Sequence, residues 1–154
     1  MFVKRRLGCG LWVRILFFIL LVPVSSAGAN NSALDSEAAF RFSARLNNNN
    51  ELNLHYLIAD GYYLYKDQFQ LTVIPTTIQV SQLIFHSTPE KHNDDFFGES
   101  LIFRKEVSIS AQLERFSNTG NIQVKMVSQG CSDSGVCYLP TEAVVDFYVV
   151  KSDE

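Results

Sequence analysis

The sequence is poor in cysteine, with three in 154 residues, and no two of them form a C-x-x-C motif. It also lacks a G-x-S-x-G motif, so nothing supports a serine hydrolase with a nucleophile elbow. Its three histidines, His55, His86 and His92, do not show the paired spacing of zinc ligands, and its two methionines do not form a copper-binding cluster. We therefore expect neither a metal nor a cofactor.

A long uninterrupted apolar run is missing as well. Arg14 interrupts the first hydrophobic stretch before it reaches the roughly 20 residues that a membrane helix needs. Basic residues 4–6, the apolar run 15–24 and the small residues around Ala29 instead have the order of a secretory signal peptide. We expect residues 1–29 to be a signal that is cleaved near Ala29, which would remove Cys9 and place the mature chain in an exported, oxidising compartment.

Excess positive charge is the third absence. The chain has 13 basic and 16 acidic residues, and the signal holds four of the basic ones, so nine against 16 remain and the charge is −7. Such a surface repels phosphate backbones, and we expect no nucleic-acid partner. Two cysteines, Cys131 and Cys137, also remain, and in an oxidising compartment a disulfide between them is the default expectation.

In the mature chain we expect a flexible leader, 30–35, followed by one domain, 36–154. Short runs rich in β-branched and aromatic residues alternate with turn residues, which predicts seven or eight strands of an all-β antiparallel sandwich. A weak helical turn is possible only around 36–39. The candidate strands are 40–42, 52–56, 62–65, 68–74, 77–85, 101–113, 122–127 and 143–150.

One long stretch, 86–100, has no clear strand pattern and is interpreted as a loop. Loops of this length in a compact domain are usually functional or disordered. The adjacent Phe96 and Phe97 argue against disorder, because two neighbouring apolar rings are expected to pack over another part of the domain.

Between Cys131 and Cys137 the residues Ser-Asp-Ser-Gly favour a turn that brings the two sulfurs together. A ring this short would contribute about 2–2.5 kcal/mol as a structural cross-link. A short-range disulfide at a strand end is also well placed to be exposed and reducible. Spacing alone favours the structural cross-link and leaves a redox role open.

Three motifs, in order, resemble those of one family. They are Asp-Gly-Tyr-Tyr-Leu-Tyr (60–65), Asp-Asp-Phe-Phe-Gly (94–98) and Gly-Cys-x5-Cys-Tyr-x-Pro (130–140). This order and cysteine spacing are similar to the N-terminal periplasmic domain of the DsbD thiol–disulfide interchange transporter family, over roughly residues 36–150. The resemblance implies an immunoglobulin-like sandwich with a long cap loop and a redox-active disulfide.

The resemblance also implies a function. The domain would take electrons from a separate membrane-embedded donor and pass them to thioredoxin-fold periplasmic proteins, of the disulfide isomerase or cytochrome c maturation type. Cys137 would form the mixed disulfide with a partner, and Cys131 would resolve it. This activity is that of a thiol–disulfide oxidoreductase.

The same resemblance assigns the surroundings of the disulfide. The cap loop would comprise Asp94, Asp95, Phe96, Phe97 and Gly98, with Phe96 shielding the sulfurs and the two carboxylates disfavouring a thiolate. Tyr63 and Tyr65 would line the site. Two positions depart from the family: Leu139 stands where a second proline is common, and Phe97 where a tyrosine is common.

Two other functions remain open from the residues. The chain could be an exported immunoglobulin-like binding module whose disulfide is inert. It could also assist the assembly of other exported proteins.

Overall fold

The computed structural model describes residues 33–114, 116 and 120–149. The predicted signal peptide, 1–29, with its cleavage point near Ala29 and Cys9, lies outside the described residues. Residues 30–32 of the leader and Val150 of the last predicted strand lie outside them too. Within the described ranges, no helix is long and apolar enough to cross a membrane.

Strands dominate the described residues. The only helical pieces there are α1 (Ser36–Ala39), whose first turn is capped by the side chain of Asp35, and a 3-10 turn (Lys66–Gln68). The strands are β1 (Phe40–Leu46), β2 (Glu51–Ile58), β3 (Tyr62–Tyr65), β4 (Gln70–Ile74), β5 (Gln79–Val80), β6 (Ile84–Phe85), β7 (Glu90–Asp94), β8 (Gly98–Phe103), β9 (Glu106–Glu114), β10 (Gly120–Ser128), β11 (Gly130–Ser132) and β12 (Thr141–Val149).

The strands form three antiparallel sheets. The first has the order β1-β2-β9-β5, with β6 also pairing β9, and the second has the order β12-β10-β4. The third has the order β11-β3-β8-β7, and it places Cys131 opposite Tyr63. The predicted all-β antiparallel class is confirmed.

The main core lies between the first two sheets. Every second residue of β2, β9 and β10 is buried there, as expected for strands with one face covered. Aromatic rings fill one side of the core, where Phe103 stacks on Phe85 at 5.3 Å and meets Phe69 at 6.2 Å between ring centroids. A separate small cluster contains Tyr63, Tyr65, Ile102 and Cys131.

The prediction of a long loop at 86–100 is wrong. Most of this stretch is a β-hairpin, in which β7 pairs with β8 and Asp94 lies opposite Gly98. The reason is that β7 is an edge strand of polar residues, none of them buried, so no alternating apolar pattern marks it. Its pairing rests on backbone hydrogen bonds, which every residue type except proline can donate and accept.

Two predicted strands are each divided. Residues 77–85 contain β5 and β6, which pair with different parts of β9. Residues 101–113 are interrupted between β8 and β9, where Lys105 has a left-handed φ of 65°. These divisions, the hairpin and the short β11 give twelve strands in the described residues instead of seven or eight.

Candidate functional site

Cys131 lies in β11, the edge strand of the third sheet, and Cys137 lies opposite it, joined to it by a disulfide. Cys131 in β11 is fully buried, whereas Cys137 is only partly buried. Backbone hydrogen bonds hold the two segments together on both sides of the disulfide. The N–H of Ser132 donates to the carbonyl of Val136 at 2.8 Å, and the N–H of Tyr138 donates to the carbonyl of Gly130 at 3.0 Å. The sulfurs are therefore adjacent because the backbone pairs, as well as because they are bonded.

Gly130 permits this placement of Cys131. A Cβ at residue 130 would lie 2.1 Å from the carbonyl oxygen of Tyr63, 2.8 Å from the Phe40 ring and 2.9 Å from a methyl group of Leu64. No side chain fits in that space. The glycine thus lets β11 approach β3 closely enough to bring Cys131 into the tyrosine cluster.

A network of hydrogen bonds surrounds the buried sulfur. The Tyr65 hydroxyl oxygen lies 3.1 Å from Cys131 Sγ and donates to Asp94 Oδ2 at 2.6 Å. The Tyr63 hydroxyl donates to the same carboxylate oxygen at 3.2 Å. Because the Tyr65 hydrogen is directed to Asp94, a lone pair of its oxygen is available on the side of the sulfur.

Asp94 also holds the turn of the hairpin. Its Oδ1 accepts from the backbone N–H groups of Phe96 and Phe97, both at 2.9 Å. Gly98 follows with a φ of 66°, the left-handed conformation that closes a three-residue hairpin loop. A single carboxylate therefore connects the turn to both tyrosines.

Burial raises the pKa of Tyr65 well above its ordinary value, and the hydrogen bond to Asp94 raises it further. Burial raises the pKa of Tyr63 as well. For Asp94, burial alone would raise the pKa, but hydrogen bonds from Tyr65 and from the N–H groups of Phe97 and Phe96 outweigh it and lower the pKa. At neutral pH the network consists of two neutral phenols and one carboxylate.

The two phenylalanines of the turn have different surroundings. The Phe97 ring packs edge-on against Tyr65, with centroids 4.6 Å apart, although 45% of the side chain is exposed. Phe96 is 60% exposed and lines a cleft of about 300 Å³ between the hairpin and the loop of residues 132–136. Asp95 lines the same cleft and is exposed.

Sequence reasoning missed two side chains at this site. The His92 ring lies 4.5 Å from that of Tyr63, and its Nε2 lies 3.7 Å from Asp94 Oδ2. The Arg104 guanidinium lies 5.0 Å from the Tyr63 ring centroid and forms ion pairs with Glu90 and Asp133. Tyr63 and Asp133 are distant from them in sequence, and Glu90 lies across a hairpin that was not predicted, so no local pattern indicated a role for either side chain.

No group of three or more potential metal ligands occurs among His, Cys, Asp and Glu side chains within the described parts of the chain.

The family model described as "Thiol:disulfide interchange protein DsbD, N-terminal" matches residues 30–148. The chain is 31% identical to the thiol:disulfide interchange protein DsbD of Klebsiella pneumoniae over 146 residues, covering 90% of this chain and 23% of that protein. It is 37% identical to the DsbD protein of a Pseudomonas species over 139 residues, covering 85% and 22%. The chain thus spans about a quarter of the curated relatives it matches.

Solved structures show the same relationship. The DsbD N-terminal domain of Neisseria meningitidis in the reduced form has a TM-score of 0.69 and 27% identity, covering 75% of this chain and 89% of that one. The complex between the DsbD and PilB N-terminal domains from the same organism has a TM-score of 0.62 and 25% identity, covering 75% and 88%. The fold is an immunoglobulin-like antiparallel sandwich, as the resemblance implied. The chain belongs to the family of DsbD N-terminal domains.

Proposed function

We propose that this domain is a periplasmic electron relay, in which the Cys131–Cys137 disulfide is reduced by a membrane-embedded donor and reoxidised by thioredoxin-fold proteins. One observation carries the proposal. The disulfide lies outside the main core, and the Tyr65 hydroxyl that contacts Cys131 Sγ is hydrogen-bonded to the carboxylate that holds the hairpin turn. A cross-link that only stabilised the sandwich would need no such network.

The proposed reaction transfers two electrons by thiol–disulfide exchange. A donor thiolate attacks Cys137 Sγ, the bond between the cysteines breaks, and Cys131 leaves as a thiolate and takes up a proton. A second donor thiolate then attacks the mixed disulfide, which oxidises the donor and releases Cys137. In the transfer to an acceptor, the Cys137 thiolate attacks one sulfur of the acceptor disulfide and releases the other as a thiolate. Cys131 then loses its proton, attacks Cys137 Sγ in this mixed disulfide, restores the Cys131–Cys137 bond and releases the acceptor as a dithiol.

The assignment of Cys137 as the interchange sulfur is supported by exposure. An attacking thiolate must approach the sulfur in line with the S–S bond, so access decides which sulfur reacts. Cys137 is partly exposed and Cys131 is fully buried. Val136 and Leu139 on either side are 43% and 84% exposed, and they offer apolar area to a protein partner.

We also propose that the hairpin turn acts as a cap and that Asp94, through Tyr65, disfavours a thiolate at Cys131. A reduced Cys131 could donate its S–H to the Tyr65 oxygen, whereas a thiolate would face a lone pair and a carboxylate beyond it. A protonated thiol reacts slowly with disulfides, so the buried Cys131 would stay a thiol until a mixed disulfide forms at Cys137. Asp95 adds negative charge at the cleft beside the disulfide.

A protein as reaction partner is supported by the solved relatives. The DsbD N-terminal domain of Neisseria meningitidis forms a complex with the PilB N-terminal domain, so a domain with this fold binds another protein domain. For this chain we propose acceptors of the disulfide isomerase or cytochrome c maturation type.

Trapping tests the relay and the roles of the two cysteines. Cys131→Ala should accumulate mixed disulfides with thioredoxin-fold proteins, because no resolving thiol remains, and Cys137→Ala should accumulate few. Non-reducing electrophoresis with mass spectrometry identifies the adducts. Equal trapping by both variants would contradict the assignment of roles.

A redox titration with thiol trapping separates the relay from an inert disulfide. A potential between roughly −120 and −270 mV, the range of exchange proteins, supports the relay. A potential below about −300 mV would indicate a structural cross-link, and the domain would then be better described as a binding module.

A further inference from the structure

Arg104 connects the two segments that flank the disulfide. It follows β8, and its guanidinium lies over the Tyr63 ring at 5.0 Å from the centroid. Nε donates to Glu90 Oε1 at 2.8 Å, and Nη2 lies 2.8 Å from Asp133 Oδ1. Glu90 begins the hairpin strand β7, and Asp133 lies in the loop between the two cysteines. One side chain thus makes two short ion pairs to two different segments.

The loop between the cysteines has few other attachments to the rest of the domain. Within the described residues, Ser132 ends β11 and pairs with Tyr62 of β3, and the N–H of Asp133 donates to the carbonyl of Gly61 at 2.7 Å. The hydrogen bonds of Gly135 and of the Ser132 hydroxyl remain inside the loop. The ion pair with Arg104 is therefore a major side-chain restraint on this loop. Because the Arg104 side chain is 30% exposed and packed on an aromatic ring, it is more restrained than an ordinary surface arginine.

We propose that Arg104 is a positioning residue for disulfide exchange. From its place over the Tyr63 ring it pairs with Asp133 and with Glu90 at the base of the hairpin, and so fixes the loop of residues 132–136 relative to the cap. This limits the access of small thiols to Cys137 and keeps the two cysteines aligned after reduction. The inference rests on the proposed function.

The decisive variant is Arg104→Gln, which removes the charge and both ion pairs. Two quantities are measured on the full chain: the rate of disulfide reduction by glutathione, and the equilibrium constant with the glutathione couple. Loss of the restraint should increase the rate roughly three- to tenfold, since two charge-assisted contacts are lost. It should shift the equilibrium about threefold toward the dithiol, because less aligned thiols reform the disulfide less readily.

Lys91→Gln is the matched control. Lys91 lies on the same hairpin and pairs with Glu99 at 3.4 Å, but both side chains are more than 70% exposed. This variant has the same change of charge and should leave both quantities at the wild-type values. Arg104→Lys should bring the rate and the equilibrium only part of the way back to the wild-type values, since an ammonium group lacks the planar fork that reaches two carboxylates at once.

Circular dichroism establishes that the variants are folded. If Arg104→Gln does not fold, Asp133→Asn and Glu90→Gln carry the test, and Asp133→Asn should change the rate and the equilibrium in the same directions. The positioning role would be overturned if the reduction rate and the equilibrium constant of folded Arg104→Gln, or of Asp133→Asn in its place, equal those of Lys91→Gln. The proposed function would stand in that case, provided that the wild-type disulfide exchanges with a thioredoxin-fold protein. An inert wild-type disulfide would overturn both the proposed function and this inference.

Discussion

The main core and the tyrosine cluster around Cys131 are built from different side chains. The main core buries mostly aliphatic residues of β2, β9 and β10, together with several aromatic rings. The cluster buries Tyr63, Tyr65, Ile102 and Cys131, and both tyrosine hydroxyls are bound by the single carboxylate of Asp94. Apolar area stabilises the first region without directional requirements, whereas the second depends on a few directional contacts. One domain thus combines a scaffold stabilised by apolar burial with a site that is held by a few hydrogen bonds.

The largest effect on stability should come from the main core. Leu54 of β2 is 1% exposed, and Leu54→Ala should lower the free energy of unfolding by about 2–5 kcal/mol through lost burial and a cavity. Urea denaturation measures the change, and the rate of reduction by glutathione should remain at its wild-type value.

Leu57→Ala on the same strand is the control for that prediction. Its side chain is 41% exposed, so the change in the free energy of unfolding should be about 0.5 kcal/mol or less. Faster reduction of the disulfide in Leu54→Ala, at temperatures where this variant is fully folded, would contradict the independence of the main core and the tyrosine cluster.

Reduction of the disulfide should have a smaller effect. The ring of Cys131 and Cys137 is short, so its loss should lower the free energy of unfolding by about 2–2.5 kcal/mol. The domain should remain folded, because the backbone bonds on both sides of the ring do not depend on the sulfurs. Circular dichroism and urea denaturation with and without a strong reductant test this, and global unfolding on reduction would contradict it.

Replacing the carboxylate that organises the site should have a still smaller effect. Asp94→Asn keeps an acceptor for the turn but loses the charge, and it should lower the free energy of unfolding by about 1–2 kcal/mol. The pKa of Asp94 is lowered in the folded state, so its contribution is present above the unfolded pKa, about 4, and is lost as the pH falls through the folded value.

The wild type should therefore lose this contribution on acidification from about pH 5 toward pH 2, and Asp94→Asn should lack that component. Urea denaturation across this range measures it. Asp95→Asn, at the neighbouring exposed position, is the matched control and should keep the component. Identical pH profiles of the wild type and Asp94→Asn would show that the carboxylate does not stabilise the hairpin.

The fold class followed from the sequence because strands with one buried face show their alternation directly, as β2 and β10 do. The hairpin of β7 and β8 did not, because β7 buries none of its residues and is held by backbone bonds. Part of the candidate site also followed from the sequence. The motifs indicated the cysteines, Tyr63, Tyr65 and Asp94, and the structure brings them together.

The roles of Arg104 and His92 at the site could not be found in this way. Arg104 meets Asp133 across 29 positions of sequence, and that contact exists only because β8 pairs with β3 and β11 pairs with β3 on its other edge. His92 contacts Tyr63 only because β7 lies beside β8. Such contacts depend on sheet order, which charge and hydrophobic patterns do not encode locally.

The smallest effect, and the most direct test of the cap, concerns the two phenylalanines of the turn. Phe96 lines the cleft beside the disulfide loop but is 60% exposed, so its ring covers only a modest apolar area. Removing the ring should lower the free energy needed to move the hairpin turn away from the disulfide by less than about 1 kcal/mol, at roughly 25 cal/mol per Å² of apolar surface. Phe96→Ala should therefore speed reduction of Cys131–Cys137 by glutathione about threefold, with little change in stability.

Phe97, whose ring packs on Tyr65, provides the matched comparison, and Phe97→Ala should weaken the hairpin more and change the rate less. Stopped-flow reduction and urea denaturation of both variants measure the two effects. A wild-type rate in Phe96→Ala would show that this ring does not shield the disulfide. A larger acceleration in Phe97→Ala than in Phe96→Ala would assign the shield to the ring that contacts Tyr65.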